Sequence, residues 1–344
     1  MITRTTNKVF FSKTMLLFIL VLCLPAAFAA SDTRSALIEG AKKEGKLMIY
    51  SSVSATDTST LAQKFQQKYA FIKPEFLRLP SERLLTKILQ EARAGKQFAD
   101  VFQTGVVEVY LFKEKGMVAK YASPERAAYA DYFKDTDGYY TSFFHTSKVI
   151  AYNTKMVVAG KAPKSYEDLL DPQWRGKLGL PGGGSGIRWF LAMMKEVGDE
   201  KGEAFMRRLA GQKPAMGQDI SGVTALMAAG EYPVAIFTNA HQIEQMKSQG
   251  APVEWVPTRP ILTTQTVLAV SSQTASPNSS KLYIDFVLSK EGQELLRSFN
   301  RIPARSDVEA NPPRLTKGLK FSPYKGEWGE EYDKYAEKFR KIFE

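Results

Sequence analysis

Short apolar runs alternate along the chain with stretches whose apolar positions recur three and four residues apart, which predicts strands followed by helices. Residues 46–51 read as a strand, and after cap-type residues from Thr56 to Thr60 a helix begins with Leu61, Ala62 and Phe65. Residues 71–79 read as a second strand, which Pro74 confines to an edge or splits. Ser81-Glu82 opens a helix with Leu84, Leu85, Ile88, Leu89 and Ala92 on one face and Gly95 past its end. Residues 98–104 are a third strand, leading through Gly105 into a helix closed by Gly116. Residues 163–170 suit a short capped helix. The apolar run before Pro181 is a buried strand, and Ile187, Phe190, Leu191 and Met194 mark the helix after it. Further helices are predicted over 203–209, behind the cap residues Asp219 and Ser221, over 280–299 and over 332–343, with a buried strand over 232–238.

Two longer stretches break this rhythm. Residues 139–154 can hold two extended segments broken near His145 to Ser147, and residues 253–270 look extended again, as a chain crossing between domains and returning requires. The alternation elsewhere is that of a sheet covered on both faces. The expected class is therefore α/β with two lobes, each a doubly wound and mostly parallel sheet, joined by crossover segments.

The amino end is of another kind. Arg4, Lys8 and Lys13 precede an uncharged apolar core over 15–24, then Pro25 and Ala27-Phe28-Ala29, the layout of a signal peptide over 1–29 cleaved after Ala29. Its core is shorter than the ~20 apolar residues of a spanning helix. Lipoprotein processing at Cys23 would need a small residue where Leu22 stands. Removing 29 of 344 residues leaves 315, lowers the formal charge from +11 to +8 and takes away the one cysteine. An exported chain without disulfides rests on buried apolar surface, and this length exceeds one ordinary core. The 47 basic residues are interleaved with 36 acidic ones and form no run of five or six. That argues against nucleic acid as a partner and leaves a modest field favouring an anionic ligand.

The candidate chemistry centres on Gly182-Gly183-Gly184-Ser185-Gly186, between a strand and a helix. Such a loop aims the unpaired N–H groups of a helix start beyond the strand end, where an anion can sit. Ser185 would add a hydroxyl and Arg188 a charge-assisted bond, although the same glycines would also serve a plain tight turn. A nucleotide-hydrolase phosphate loop, a dinucleotide fingerprint and a nucleophile elbow each fail, because Ile187 follows Gly186. Ligands of open parallel sheets lie beyond the strands' carboxyl ends. Four such ends carry small polar residues: Ser51, Ser52 and Ser54; Thr104 with Gly105; the glycine loop through Gly183, Gly184, Ser185 and Gly186; and Thr238 with Asn239, followed by His241. Two lie before the crossover and two after it, so a ligand between them would be gripped by both lobes.

Ile49-Tyr50-Ser51, Ala99-Asp100-Val101-Phe102, residues 149–154, residues 163–177 ending in Trp174-Arg175-Gly176-Lys177, and Gly230-Glu231-Tyr232 before a buried strand occur in this order after an exported start. In these motifs, spread over nearly the whole mature chain, the sequence resembles the ferric-iron-type solute-binding proteins of bacterial ABC importers. The resemblance implies a periplasmic-binding-protein fold of the class II type, with residues 30–147 and 268–305 in one lobe and 148–267 and 306–344 in the other. It further implies a cleft closing on ligand, delivery to an inner-membrane ABC permease, a periplasmic location, a monomer, no cofactor and no catalysis. Ferric members of the family carry two consecutive tyrosines where this chain has Ala240-His241, and an acidic ligand where it has Gly105. Alanine offers no hard donor for a small trivalent cation, so no metal site is expected. The glycine-serine loop, which in the family receives an anion, is kept. A small anionic solute is the expected ligand: a phosphonate, phosphate ester or organic acid. An iron or iron-chelate carrier with atypical ligands, or a binding protein serving a membrane sensor, is the alternative.

His241, just past a strand end, is either a ligand donor or a helix-start residue, and His145 near the crossover reads as packing or hinge. Trp174, Trp189 and Trp255 could line a cleft, with Trp189 better suited to the core. An enzyme using Ser185 as nucleophile and His241 as base would lack the elbow spacing and a third partner.

Overall fold

The computed structural model describes Met1 and residues 25–344, so the basic start and apolar core of the expected leader lie outside the described residues. Helix α1 (Pro25–Glu44) leads into strand β1 (Lys46–Ser51), helix α2 (Ala55–Lys68), strand β2 (Lys73–Arg78), helix α3 (Ser81–Arg93), strand β3 (Val101–Gly105), helix α4 (Val106–Glu114) and the short β4 (Val118–Ala119). Ser54 accepts the Asp57 N–H at 3.2 Å as the cap of α2, which starts that helix well before the apolar onset at Leu61. The long strand β5 (Tyr140–Asn153) then carries the chain into the second lobe.

There β6 (Leu178–Pro181), α5 (Gly183–Val197), α6 (Asp199–Gly211), β7 (Ala215–Gly217), α7 (Ile220–Ala229), β8 (Val234–Asn239), α8 (Ala240–Ser248) and β9 (Val253–Val256) follow. Strand β10 (Ile261–Ser271) returns to α9 (Pro277–Leu288), α10 (Lys290–Ser298) and β11 (Ile302–Pro303), and the chain ends with β12 (Phe321–Pro323) and α11 (Tyr332–Phe343).

The strands join in the order β2-β1-β3-β10-β5-β8-β6-β7. Each lobe holds a parallel trio, β2-β1-β3 or β8-β6-β7. Between the trios, β10 runs antiparallel to β3 and β5, and β5 antiparallel to β8, so the sheet as a whole is mixed.

Strand alternation sends side chains to opposite faces, and both faces are covered by helices. In the first lobe Ile49, Val101 and Leu268 pack under α2, α9 and α10, while Tyr50, Phe102 and Val267 pack under α3 and α4. In the second, Ile150, Val234 and Ile236 face α5, α6 and α11, and Val149, Ala151 and Ala235 face α7 and α8. Val267 thus joins the core of the first lobe and Ile302 that of the second, each on the other side of the expected division.

Several elements differ from their sequence reading. Residues 140–153 form one strand rather than two, the irregularity taken up as register shifts at Thr266/Val267 and Val149/Ala151. The helix expected over 280–299 is two, because Ser289 is extended (φ −64°, ψ 163°) and caps α10 through the Gly292 N–H. Over residues 163–170 only Glu167–Leu170 forms a helical turn, of the 3-10 type.

The carboxyl-terminal segment ties the lobes together. Its 3-10 turn Gly326–Glu331 lies on α4 of the first lobe, where a Cβ on Gly326 would be 2.6 Å from that of Tyr110, and Tyr110 donates to Glu330 at 3.0 Å. Helix α11 lies on the second, with Phe339 and Tyr335 against Phe190.

Candidate functional site

A cavity of about 410 Å³ opens between the lobes, beyond the carboxyl ends of the parallel strands. One wall is Ser52 and Ser54 after β1, Ser81 at the start of α3, and Gly105 to Glu108 where β3 turns into α4. The opposite wall is Ser185 and Arg188 of α5, Ile220, Phe237 and Asn239. Between them lie Phe144, Thr146 and Lys148 of β5 and Thr264, Gln265 and Thr266 of β10, with Arg301 and Tyr324 completing the lining.

Three cations face this space. Arg301 is held by Asp57, whose carboxylate accepts from both Nε (2.8 Å) and Nη2 (2.7 Å), and its guanidinium stacks 5.2 Å from the centre of the Phe144 ring. Arg188 reaches across the cleft, 3.7 Å from Glu108 and 3.8 Å from Glu82. Lys148 is buried, donates to the Asn239 side-chain oxygen at 2.5 Å and lies over the ring of Phe237. Burial first, and the charge of Arg188 second, push its ammonium down to about 7. Phe237 holds φ +59°, a conformation costly for a residue with a Cβ, at the strand end where its ring meets the cleft.

Of the residues singled out from the sequence, Ser52, Ser54, Ser185, Arg188 and Asn239 line the cavity. Ser51, Thr104 and Thr238 are buried and do not. Neighbouring residues of an extended chain point opposite ways, so Ser51 turns inward to Thr58 (3.0 Å) and accepts from Gln103, while Ser52 faces the cleft and accepts from Thr104 at 2.9 Å. Thr238 donates to the Val149 carbonyl.

The glycines also divide. Gly182 is the extended residue before α5, and residues 183–186 already form its first turn. Gly183 adopts φ +53° and is exposed, outside the cavity lining. A Cβ on Gly184 would lie 2.7 Å from the Glu82 carboxylate, so the facing lobe's own acid stands near this helix start. Gly186 is buried where any Cβ would strike the Pro181 carbonyl and the ring of Phe339. It serves packing. His241 sits behind Arg301, its Nε2 at 3.5 Å from Nη1, and burial pushes it down to about 3. His145 is likewise held neutral by burial and stacks on Phe133. Trp174, Trp189 and Trp255 are core residues.

Lys148, Arg301 and Glu108 were missed from the sequence. Glu108 fills the space that a side chain at 105 would take, a relation that the fold alone shows. Among the described residues no group of three His, Cys, Asp or Glu side chains could hold a metal ion.

Two α/β lobes with a polar cleft beyond their strand ends define the class of a solute-binding protein. Residues 96–327 match the family described as bacterial extracellular solute-binding protein, and the chain belongs to that family. An uncharacterized protein of Haemophilus influenzae is 27% identical over 271 residues, covering 74% of this chain and 76% of its own. Iron-bound HitA from Pseudomonas aeruginosa shares the fold at a TM-score of 0.74 and 21% identity, over 86% of this chain and 99% of that one. The periplasmic binding protein AfuA from Actinobacillus pleuropneumoniae, solved with exogenous fructose-6-phosphate, matches at a TM-score of 0.72 and 24% identity, over 87% and 98% of the two chains.

Proposed function

We propose that this protein works in the periplasm as a monomer, captures a small anionic solute in the cleft between its lobes and delivers it to an inner-membrane ABC permease. A phosphate ester, phosphonate or organic acid fits. The observation that carries this reading is the convergence of Lys148, Arg188 and Arg301, with Ser52, Ser185 and other hydroxyls, on one cavity of about 410 Å³. Micromolar capture needs roughly −8 kcal/mol. Hydrogen bonds to charged groups at roughly 1.5–3 kcal/mol each supply much of it, offset in part by closure and the ligand's lost freedom. A neighbour of the same fold holding a sugar phosphate supports the ester in particular. Closure about β5 and β10, which both lobes share, would bring the two walls onto the ligand.

The test is a thermal-shift screen of the purified protein against fructose 6-phosphate, methylphosphonate, citrate, neutral fructose and ferric chloride. A ligand that binds only the native state raises the melting temperature in proportion to the logarithm of its concentration over Kd. At least one of the phosphate, phosphonate or carboxylate compounds is expected to do so, and neutral fructose is not. A shift by ferric iron alone would overturn the reading in favour of an iron carrier.

A further inference from the structure

We propose that Lys148 selects for negative charge in this cleft and takes up a proton as the anion enters, so that capture is coupled to pH. The inference rests on the anion reading above. It starts from unequal partners. Arg301 has Asp57 at 2.7 Å, and Arg188 has Glu82 and Glu108 within 4 Å. Lys148 is only 5% exposed, and among the described residues no carboxylate pairs with it. Of the three donors of an ammonium, one meets the Asn239 side-chain oxygen. A buried cation without a counter-charge is costly, and it relieves the cost by losing its proton. The midpoint near 7 follows from that burial with Arg188 beside it.

The groups around Lys148 leave it as the titrating one. Asn239 and Phe237 face it from β8 and are neutral, and Arg188 faces it from α5. His241 from α8 and His145 on its own strand are held uncharged by burial, and Tyr324 is pushed further up, so none of the three changes charge near neutrality. Arg301 lies beyond His241, and Glu108 faces Arg188 from α4. An anion placed in the cavity supplies the missing counter-charge and favours protonated Lys148. The bound state then holds more protons than the free state above neutrality, and affinity falls as pH rises.

Isothermal titration with fructose 6-phosphate, in paired buffers of different ionisation heat between pH 7 and 9, tests this. The ester is already doubly charged over most of that range, its second ionisation lying at about 6. Uptake approaching one proton per ligand is expected at the upper end, with Kd weakening up to roughly ten-fold per pH unit. Lys148→Arg, which cannot lose its charge, should bind with a flat profile, and Lys148→Met should lose both the pH dependence and at least about ten-fold in affinity. Binding by the unaltered protein with no proton uptake and a flat profile would overturn the inference while leaving the anion reading intact. Failure of fructose 6-phosphate, methylphosphonate and citrate alike to bind at pH 7 would overturn both.

Discussion

The two walls of the cleft are built from the same strand, loop and helix unit, yet they are charged differently. The first-lobe wall offers hydroxyls from Ser52, Ser54 and Ser81 and the carboxylate of Glu108. The second-lobe side offers Arg188, Lys148 on the shared strand and the amide of Asn239. Across the gap, Arg188 pairs with Glu82 and Glu108. The difference teaches that, on the reading proposed, Arg188 and Lys148 draw an anion from the second-lobe side, while the first-lobe side supplies hydroxyls, Arg301 already paired with Asp57, and an internal competitor for Arg188.

The strongest attempt to break this contrast removes the charged side. Arg188→Ala with Lys148→Met is expected to weaken fructose 6-phosphate binding about a thousand-fold, at roughly 1.5–3 kcal/mol per charge-assisted bond. Ser52→Ala with Ser81→Ala should cost only about ten-fold by the same titration, and a larger loss from the serines would reverse the assignment of the walls.

Next in size is a contrast between two glycines, Gly105 at the end of β3 and Gly186 in the first turn of α5. Gly186→Ala drives a methyl into the Pro181 carbonyl and a buried Phe339 ring, neither free to yield, and should lower unfolding stability by about 1–3 kcal/mol. Gly105→Ala meets only the end of the Glu108 side chain, and should change stability by less than about 1 kcal/mol while displacing that carboxylate. Denaturant titration of the two variants decides it; equal losses would mean that the first-lobe turn is as tightly packed as the second.

Ser185→Ala should weaken anion binding by about 1–2 kcal/mol, and unchanged affinity would remove this hydroxyl from the site. The smallest effect runs the other way. Glu108→Gln releases Arg188 from its partner across the cleft and should strengthen anion binding by about 1 kcal/mol; a weaker complex would show that the carboxylate receives a ligand hydroxyl instead.

Much of the architecture was legible because it depends on local periodicity. The apolar run of β1, the face of α3 and the terminal helix were each readable with little context. The strand ends were legible too, but which residue at each end faces the cleft was not. That depends on the parity of an extended chain, which put Ser52 in the cleft and Ser51 in the core. Lys148 sits in an apolar run that reads as ordinary strand, and its lack of a counter-charge is a tertiary property. Arg301 follows α10, and its guanidinium is fixed at the cleft by Asp57, far away in sequence. Of residues 182–186 only Ser185 lines the cleft, joined by Arg188 three residues further along α5.

Strand β5 runs unbroken from Tyr140 to Asn153, with Lys148 inside it, contributing to the cores of both halves. If Lys148 takes part in recognition as proposed, neither half alone carries the site. A hybrid spliced from two relatives at this strand would inherit a cation from one parent and its Asn239 or Arg188 surroundings from the other, so changes of diet in such proteins should come through substitutions lining an intact strand rather than through exchange of halves.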